Sequence, residues 1–211
     1  MYATKDIVAG GKINDEIDRH GADAIDGIGF KYVMADPKLH DIPATVRNRM
    51  LAYRGLADFV TVHASNQWAS LREAAKAANE IKANAIAVTI LTSMSSKECK
   101  QLYGRPARQM VLHFAARAKR AGLHGIVCSP KEVAAVRKLW PKAIIICPGV
   151  RSVGAEVHDQ RRVDTPENAI NNGADFVVVG REVTKAAGSQ AQHAAALRIQ
   201  RNIDSVLSAS S

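Results

Sequence analysis

The chain has 211 residues, 47% of them hydrophobic and 5% aromatic, with a formal net charge of +9 at pH 7. That length and apolar content can build one domain, residues 1–211, with a sizeable core; no apolar run reaches the length of a membrane span. The basic excess would suit a nucleic acid, but Arg47, Arg49, Lys76, Lys82, Arg117, Lys119 and Arg120 are dispersed along predicted helices and aromatic stacking platforms are scarce, so no nucleic-acid partner is expected and the field favours an anionic, phosphorylated substrate.

The first residues lack the basic-then-apolar pattern of a secretory signal, which implies a cytoplasmic protein with no membrane association. Residues 6–13 read as a short strand, and 14–28 as a helix with Asn14 or Asp15 at its cap. A strand over 32–36 precedes a helix over 43–56, whose first turn accepts Pro43. Strand 59–63 leads to helix 66–82, with Trp68, Leu71, Ala74, Ala75 and Ala78 on an apolar face. The apolar run 85–91 is another strand. A loop over 92–105 then gives way to a helix ending near 121, strand 125–128 and helix 130–140. Strand 143–147, a long loop over 148–163, helix 165–172, strand 175–180 and a helical region over 181–207 complete the chain. Strand and helix alternate and the strands are apolar throughout, which implies a parallel sheet covered by helices, in seven strand–helix units. Cys99, Cys128 and Cys147 are scattered and odd in number, and read as buried structural thiols.

One stretch carries a charge cluster at a strand end. Asp36 and Lys38 lie two residues apart, so strand periodicity directs both to one face, and Asp41 follows where Asp41 or Ile42 caps the next helix. A lone Asp-x-Lys is most often a surface ion pair. At the C-terminal end of a buried parallel strand it occupies the position where α/β enzymes keep their active sites.

The run Asp36-x-Lys38-x-x-Asp41-Ile42-Pro43-x-Thr45 resembles the signature of the orotidine 5'-phosphate decarboxylase family. Sister decarboxylases and aldolases share Asp-x-Lys-x-x-Asp, but Ile42-Pro43-x-Thr45 favours the orotidylate branch. The resemblance implies a (β/α)8 TIM-type barrel, here N-terminally shortened, since nothing before Asp6 supplies the family's first strand and its ribose-binding Asp. It extends over about residues 30–187. Lys12 matches the family lysine at the end of the second strand, with Lys5 as the fallback. Leu91-Thr92-Ser93-Met94 is similar to the turn whose threonine touches the pyrimidine, with Ser95 a weaker candidate and Thr89 structural.

Further elements follow in the family's order: Pro148-Gly149-Val150-Arg151, Asp159-Gln160-x-Arg162, Thr165-Pro166 and Val177-Val178-Val179-Gly180-Arg181-x-x-Thr184. Together they read as a phosphate site. Loops after the last strands of such barrels bind phosphate, Gly180 lets the main chain approach, and Arg181 offers a forked, permanently charged donor alongside Arg151 and Gln160. The histidines have no metal-ligand spacing; His40 and His63 read as packing or strand-end residues. No dinucleotide-binding or Walker loop is present, and no metal or cofactor is expected.

The implied reaction is cofactor-independent decarboxylation of orotidine 5'-phosphate to UMP in pyrimidine biosynthesis. Lys38 supplies the fixed cation and the proton needed at C6, held by Asp36 and Asp41. The resemblance also implies a homodimer with shared sites, the residues matching Asp41, Ile42 and Thr45 reaching into the neighbouring subunit. The alternatives are a metal-dependent sugar-phosphate decarboxylase or aldolase of the same superfamily, and a non-catalytic phosphate-binding remnant.

Overall fold

The computed structural model describes residues 4, 7–25, 29–152 and 162–209. Seven strands, β1 (Gly10–Ile13), β2 (Tyr32–Leu39), β3 (Phe59–His63), β4 (Asn84–Val88), β5 (Gly125–Val127), β6 (Ile144–Pro148) and β7 (Phe176–Val178), form one sheet in sequence order. Every neighbouring pair is parallel. The helices between them are α1 (Asp15–His20), α2 (Pro43–Leu51), α3 (Trp68–Glu80), α4 (Ser96–Tyr103), α5 (Ala107–Ala121), α6 (Val133–Leu139) and α7 (Pro166–Asn171); α8 (Arg181–Thr184) and α9 (Gly188–Ala209) follow β7.

The alternation of side chains explains both layers of the core. Tyr32, Met34, Phe59, Ile86, Ile146 and Phe176 gather in one inner cluster. Val60 and Val62, from the opposite face of β3, are fully buried in the larger outer cluster with Leu71 and Ala74 of α3; each such valine contributes about 1.5–3 kcal/mol. The Phe176 ring centroid lies 5.7 Å from that of Tyr32 and 5.4 Å from that of Phe59. Strands that are far apart in the sheet therefore meet across its interior, so the sheet curls into a nearly closed barrel of the TIM type. Among the described residues β1 and β7 each pair on one side only.

Most predicted elements are present, with local differences. The predicted helix 14–28 is α1 followed by a 3-10 turn, Gly21–Ile25, and Asn14 makes no side-chain capping bond; residues 26–28 lie outside the described set. The helix predicted to reach residue 56 ends at Leu51. The predicted loop 92–105 contains α4, started by a reciprocal capping box between Ser95 and Glu98 and stopped by Gly104 at φ +75°. The strand predicted to 91 ends at Val88; the Thr89 amide and hydroxyl both donate to the Val127 carbonyl, and the chain then leaves the ladder. The helical region predicted over 181–207 is two helices, α8 and α9.

Candidate active site

Because all strands run in parallel, the segments following β1 to β7 emerge at one rim, and the inward-facing positions turn polar there. Lys12 on β1, Asp36 on β2 and Thr61 on β3 converge. Asp36, 8% exposed, accepts Lys12 Nζ at 3.0 Å and Lys38 Nζ at 2.9 Å on the same oxygen, Oδ2. Its other oxygen, Oδ1, accepts Thr61 Oγ1 at 2.8 Å. A buried carboxylate without partners would be costly; here it is held between two cations and a hydroxyl.

The route by which Lys38 arrives differs from simple alternation. Lys38 has φ +46°, and the register of β2 against β3 slips between Ala35 and Leu39. This bulge costs backbone strain of about 1–2 kcal/mol for a residue with a Cβ. The Lys38 amide, displaced from the ladder, donates instead to Thr61 Oγ1 at 2.9 Å. Backbone held in such sparsely populated conformations clusters at active sites and ligand clamps.

The loop beyond Lys38 is anchored by α3 and its approach. Asn66, almost fully buried, donates through Nδ2 to the Leu39 carbonyl at 2.7 Å and accepts the Asp41 amide at 3.2 Å. Ser70 Oγ donates to the Asp41 carbonyl at 2.7 Å. The Asp41 carboxylate accepts the Ile42 amide at 2.7 Å and is exposed; among the described residues it makes no ion pair with Lys38. Ile42 is 58% exposed, and Thr45 lies in the first turn of α2. The structure thus brings Lys12, Asp36 and Lys38 together and leaves Asp41 and Ile42 facing outward.

Across the opening, Thr92 is buried in the turn after β4. Arg151, also buried, follows β6 and donates through Nη1 to the Val150 carbonyl at 2.6 Å. Gly180 and Arg181 follow β7, and a Cβ built on Gly180 meets nothing within 4 Å among the described residues. The loops bearing the two arginines are tied together, since the Ser152 amide donates to Glu182 Oε2 at 3.2 Å. Burial works to raise the Glu182 carboxyl, but hydrogen bonding by Ser152 and Arg198 outweighs it and holds the group below the usual range. Lys5 and Gln160 lie outside the described residues.

Thr61 was not singled out from the sequence. The signal available was a hydroxyl at an inward position of an otherwise apolar strand. His63, two residues on, faces the same way. Its ring lies 5.5 Å from that of His40, and burial, then the charges of His40 and Lys38, lower its pKa while Asp36 opposes them. The three thiols are buried, and burial raises all of them, as expected of unreactive cysteines. No group of three or more metal-ligating side chains occurs among the described residues.

Comparison with known proteins places the chain as a whole. The family model for orotidine 5'-phosphate decarboxylase / HUMPS matches residues 14–197. The orotidine 5'-phosphate decarboxylase of Sphingopyxis alaskensis is 41% identical over 169 residues, covering 79% of this chain and 74% of the relative. That of Thermobifida fusca is 43% identical over 167 residues, covering 78% and 71%. The crystal structure of orotidine 5'-phosphate decarboxylase from Lactobacillus acidophilus superposes with a TM-score of 0.76 at 29% identity, covering 92% of this chain and 86% of that one.

Proposed function

The chain belongs to the orotidine 5'-phosphate decarboxylase / HUMPS family, and we propose that the Lys12–Asp36–Lys38 cluster is the catalytic centre of a cofactor-independent decarboxylase. The enzyme is a carboxy-lyase that converts orotidine 5'-phosphate to UMP and carbon dioxide in pyrimidine biosynthesis. This reading is favoured over the metal-dependent sugar-phosphate activities by the relatives, which are orotidine 5'-phosphate decarboxylases. The observation that carries the catalytic assignment is the sharing of one Asp36 oxygen by two ammonium groups.

In the reaction the bond from C6 to the carboxylate breaks, its electron pair stays on C6, and carbon dioxide leaves. The developing carbanion is stabilised by the nearby Lys38 ammonium, which then transfers a proton to C6 and recovers one from solvent. Asp36 fixes that ammonium, aided by Lys12 and Thr61. Because these groups are already hydrogen-bonded to one another, little reorganisation accompanies charge development. Thr92 meets the pyrimidine, while Arg151, Gln160, Gly180 and Arg181 hold the phosphate, whose binding energy is used in the chemical step.

The exposed Asp41 and Ile42, with Thr45 behind them, support a homodimer in which each subunit completes its neighbour's site. Sedimentation equilibrium tests this: a fully active monomer would refute it. The domain spans residues 1–211 and works in the cytoplasm. No helix among the described residues is long and apolar enough to cross a membrane.

The direct test is the absorbance change on mixing the purified protein with orotidine 5'-phosphate, with and without EDTA. Stoichiometric UMP formation unaffected by EDTA is expected. Loss of turnover on chelation would favour the metal-dependent chemistry.

A further inference from the structure

Arg162 belongs to the Asp159-Gln160-x-Arg162 motif but takes no part in the site described above. It is 7% exposed, and its counterion Glu132 is 4% exposed. Arg162 Nη1 donates to Glu132 Oε1 at 2.9 Å. Two buried ions paired only for stability favour a two-pronged guanidinium–carboxylate contact. Here Arg162 Nε and Glu132 Oε2 are instead both buried with no hydrogen-bond partner among the described residues.

The guanidinium is turned so that Nη2 reaches the main chain, donating to the carbonyls of Ile90 at 2.7 Å and Leu91 at 3.1 Å. Those carbonyls lie beyond the end of β4 and have left the strand ladder. The Leu91 carbonyl also accepts the Met94 amide at 3.0 Å, closing the turn that contains Thr92. The backbone of Arg162 is itself pinned, its carbonyl accepting Ser129 Oγ at 2.9 Å. One buried cation therefore joins the segments after β4 and β5 to the one leading into α7.

We propose that Arg162 is a positioning residue, holding the turn at residues 90–92 so that Thr92 is presented to the nucleobase. The inference rests on the functional reading above and extends it to a residue that does not touch substrate. Without Nη2 the two carbonyls lose a charged donor, and the turn relaxes toward other partners. A displacement of about 1 Å in a substrate-positioning element is enough to lower turnover about a hundredfold.

Two variants separate positioning from stability. The double variant Glu132→Met with Arg162→Met removes both charges together, so no unpaired ion is left in the core. Arg162→Lys keeps a cation beside Glu132 but lacks the planar fork that serves carboxylate and carbonyls at once. For the parent and both variants, the thermal midpoint, kcat and KM for orotidine 5'-phosphate, and calorimetric affinities for UMP and ribose 5-phosphate are measured.

Midpoints close to the parent's are expected in both variants, with ribose 5-phosphate affinity retained and UMP affinity and kcat/KM lowered by about tenfold to a hundredfold. If the double variant does not fold, Arg162→Lys decides alone. Parent-like UMP affinity and kcat/KM in Arg162→Lys would overturn the proposal, as would equal losses for UMP and ribose 5-phosphate, which would indicate a general structural defect. A parent protein that neither binds UMP nor converts orotidine 5'-phosphate would overturn the functional reading and this inference with it. An active parent beside equally active variants would overturn this inference alone.

Discussion

Thr61 Oγ1 donates to Asp36 Oδ1 at 2.8 Å, leaving the other carboxylate oxygen to the two lysines. The same hydroxyl oxygen accepts the amide of Lys38 at 2.9 Å, so one side chain fixes both the carboxylate and the bulged main chain that carries the cation. Thr61→Val preserves shape and removes both bonds. It should lower stability by about 1–3 kcal/mol, because a buried donor loses its acceptor. It should also lower kcat by about tenfold or more as the cluster loosens, with KM less affected. Denaturant titration and steady-state kinetics check the two effects separately.

Acid should weaken the fold through His124. Its Nδ1 accepts the Ala85 amide at 3.1 Å and its Nε2 meets Asn79 Oδ1 at 2.9 Å, an arrangement that only the neutral ring with its proton on Nε2 satisfies. Burial lowers the His124 pKa. The unfolded chain therefore binds a proton more readily, so the stabilisation is complete above the unfolded value of about 6.5 and is lost as pH falls through the folded value beneath it. His63 and His113 shift in the same direction, chiefly through burial. Thermal midpoints should be level above about pH 7 and decline below about pH 6, and His124→Gln should flatten that decline.

Arg137 ties together the opposite end of the barrel. Its Nε and Nη2 donate to the Gly173 carbonyl at 3.0 and 2.7 Å, Nη1 donates to the Pro141 and Ala143 carbonyls at 2.7 and 2.8 Å, and Nη2 reaches Asp175 Oδ2 at 2.8 Å. That Asp175 oxygen also accepts the Ile145 amide at 2.7 Å. Arg137→Met should destabilise the protein by about 2–4 kcal/mol, measured by denaturant unfolding. Turnover per folded molecule should be unchanged, since no rim residue is touched.

Arg181→Ala should weaken UMP binding by about tenfold to a hundredfold, the usual worth of a charge-assisted contact to phosphate. Calorimetry measures it directly, and an unchanged dissociation constant would contradict the phosphate assignment.

The order of strands and helices was legible in the sequence because apolar runs alternate with helical periodicity and because Pro43 marks a helix start. Helix α4 was obscured by a polar composition whose helix-forming signal is a capping box of two residues, Ser95 and Glu98. Asp36 and Lys38 were legible as a pair. Their means of meeting was not, since a lysine at positive φ leaves no mark in local composition. Thr61 escaped, and Arg162 was legible only as a member of a motif, for a common reason: their partners lie 23 residues or more away in sequence and become neighbours only through the barrel.

The role of Lys38 is tested most directly by orotidine 5'-phosphate turnover in Lys38→Ala, with UMP binding followed by calorimetry on the same preparation. The predicted result is a fall in kcat of about a thousandfold or more, as befits loss of both the cation and the proton donor, while UMP binding largely survives. Turnover close to the parent's in that variant would contradict the account.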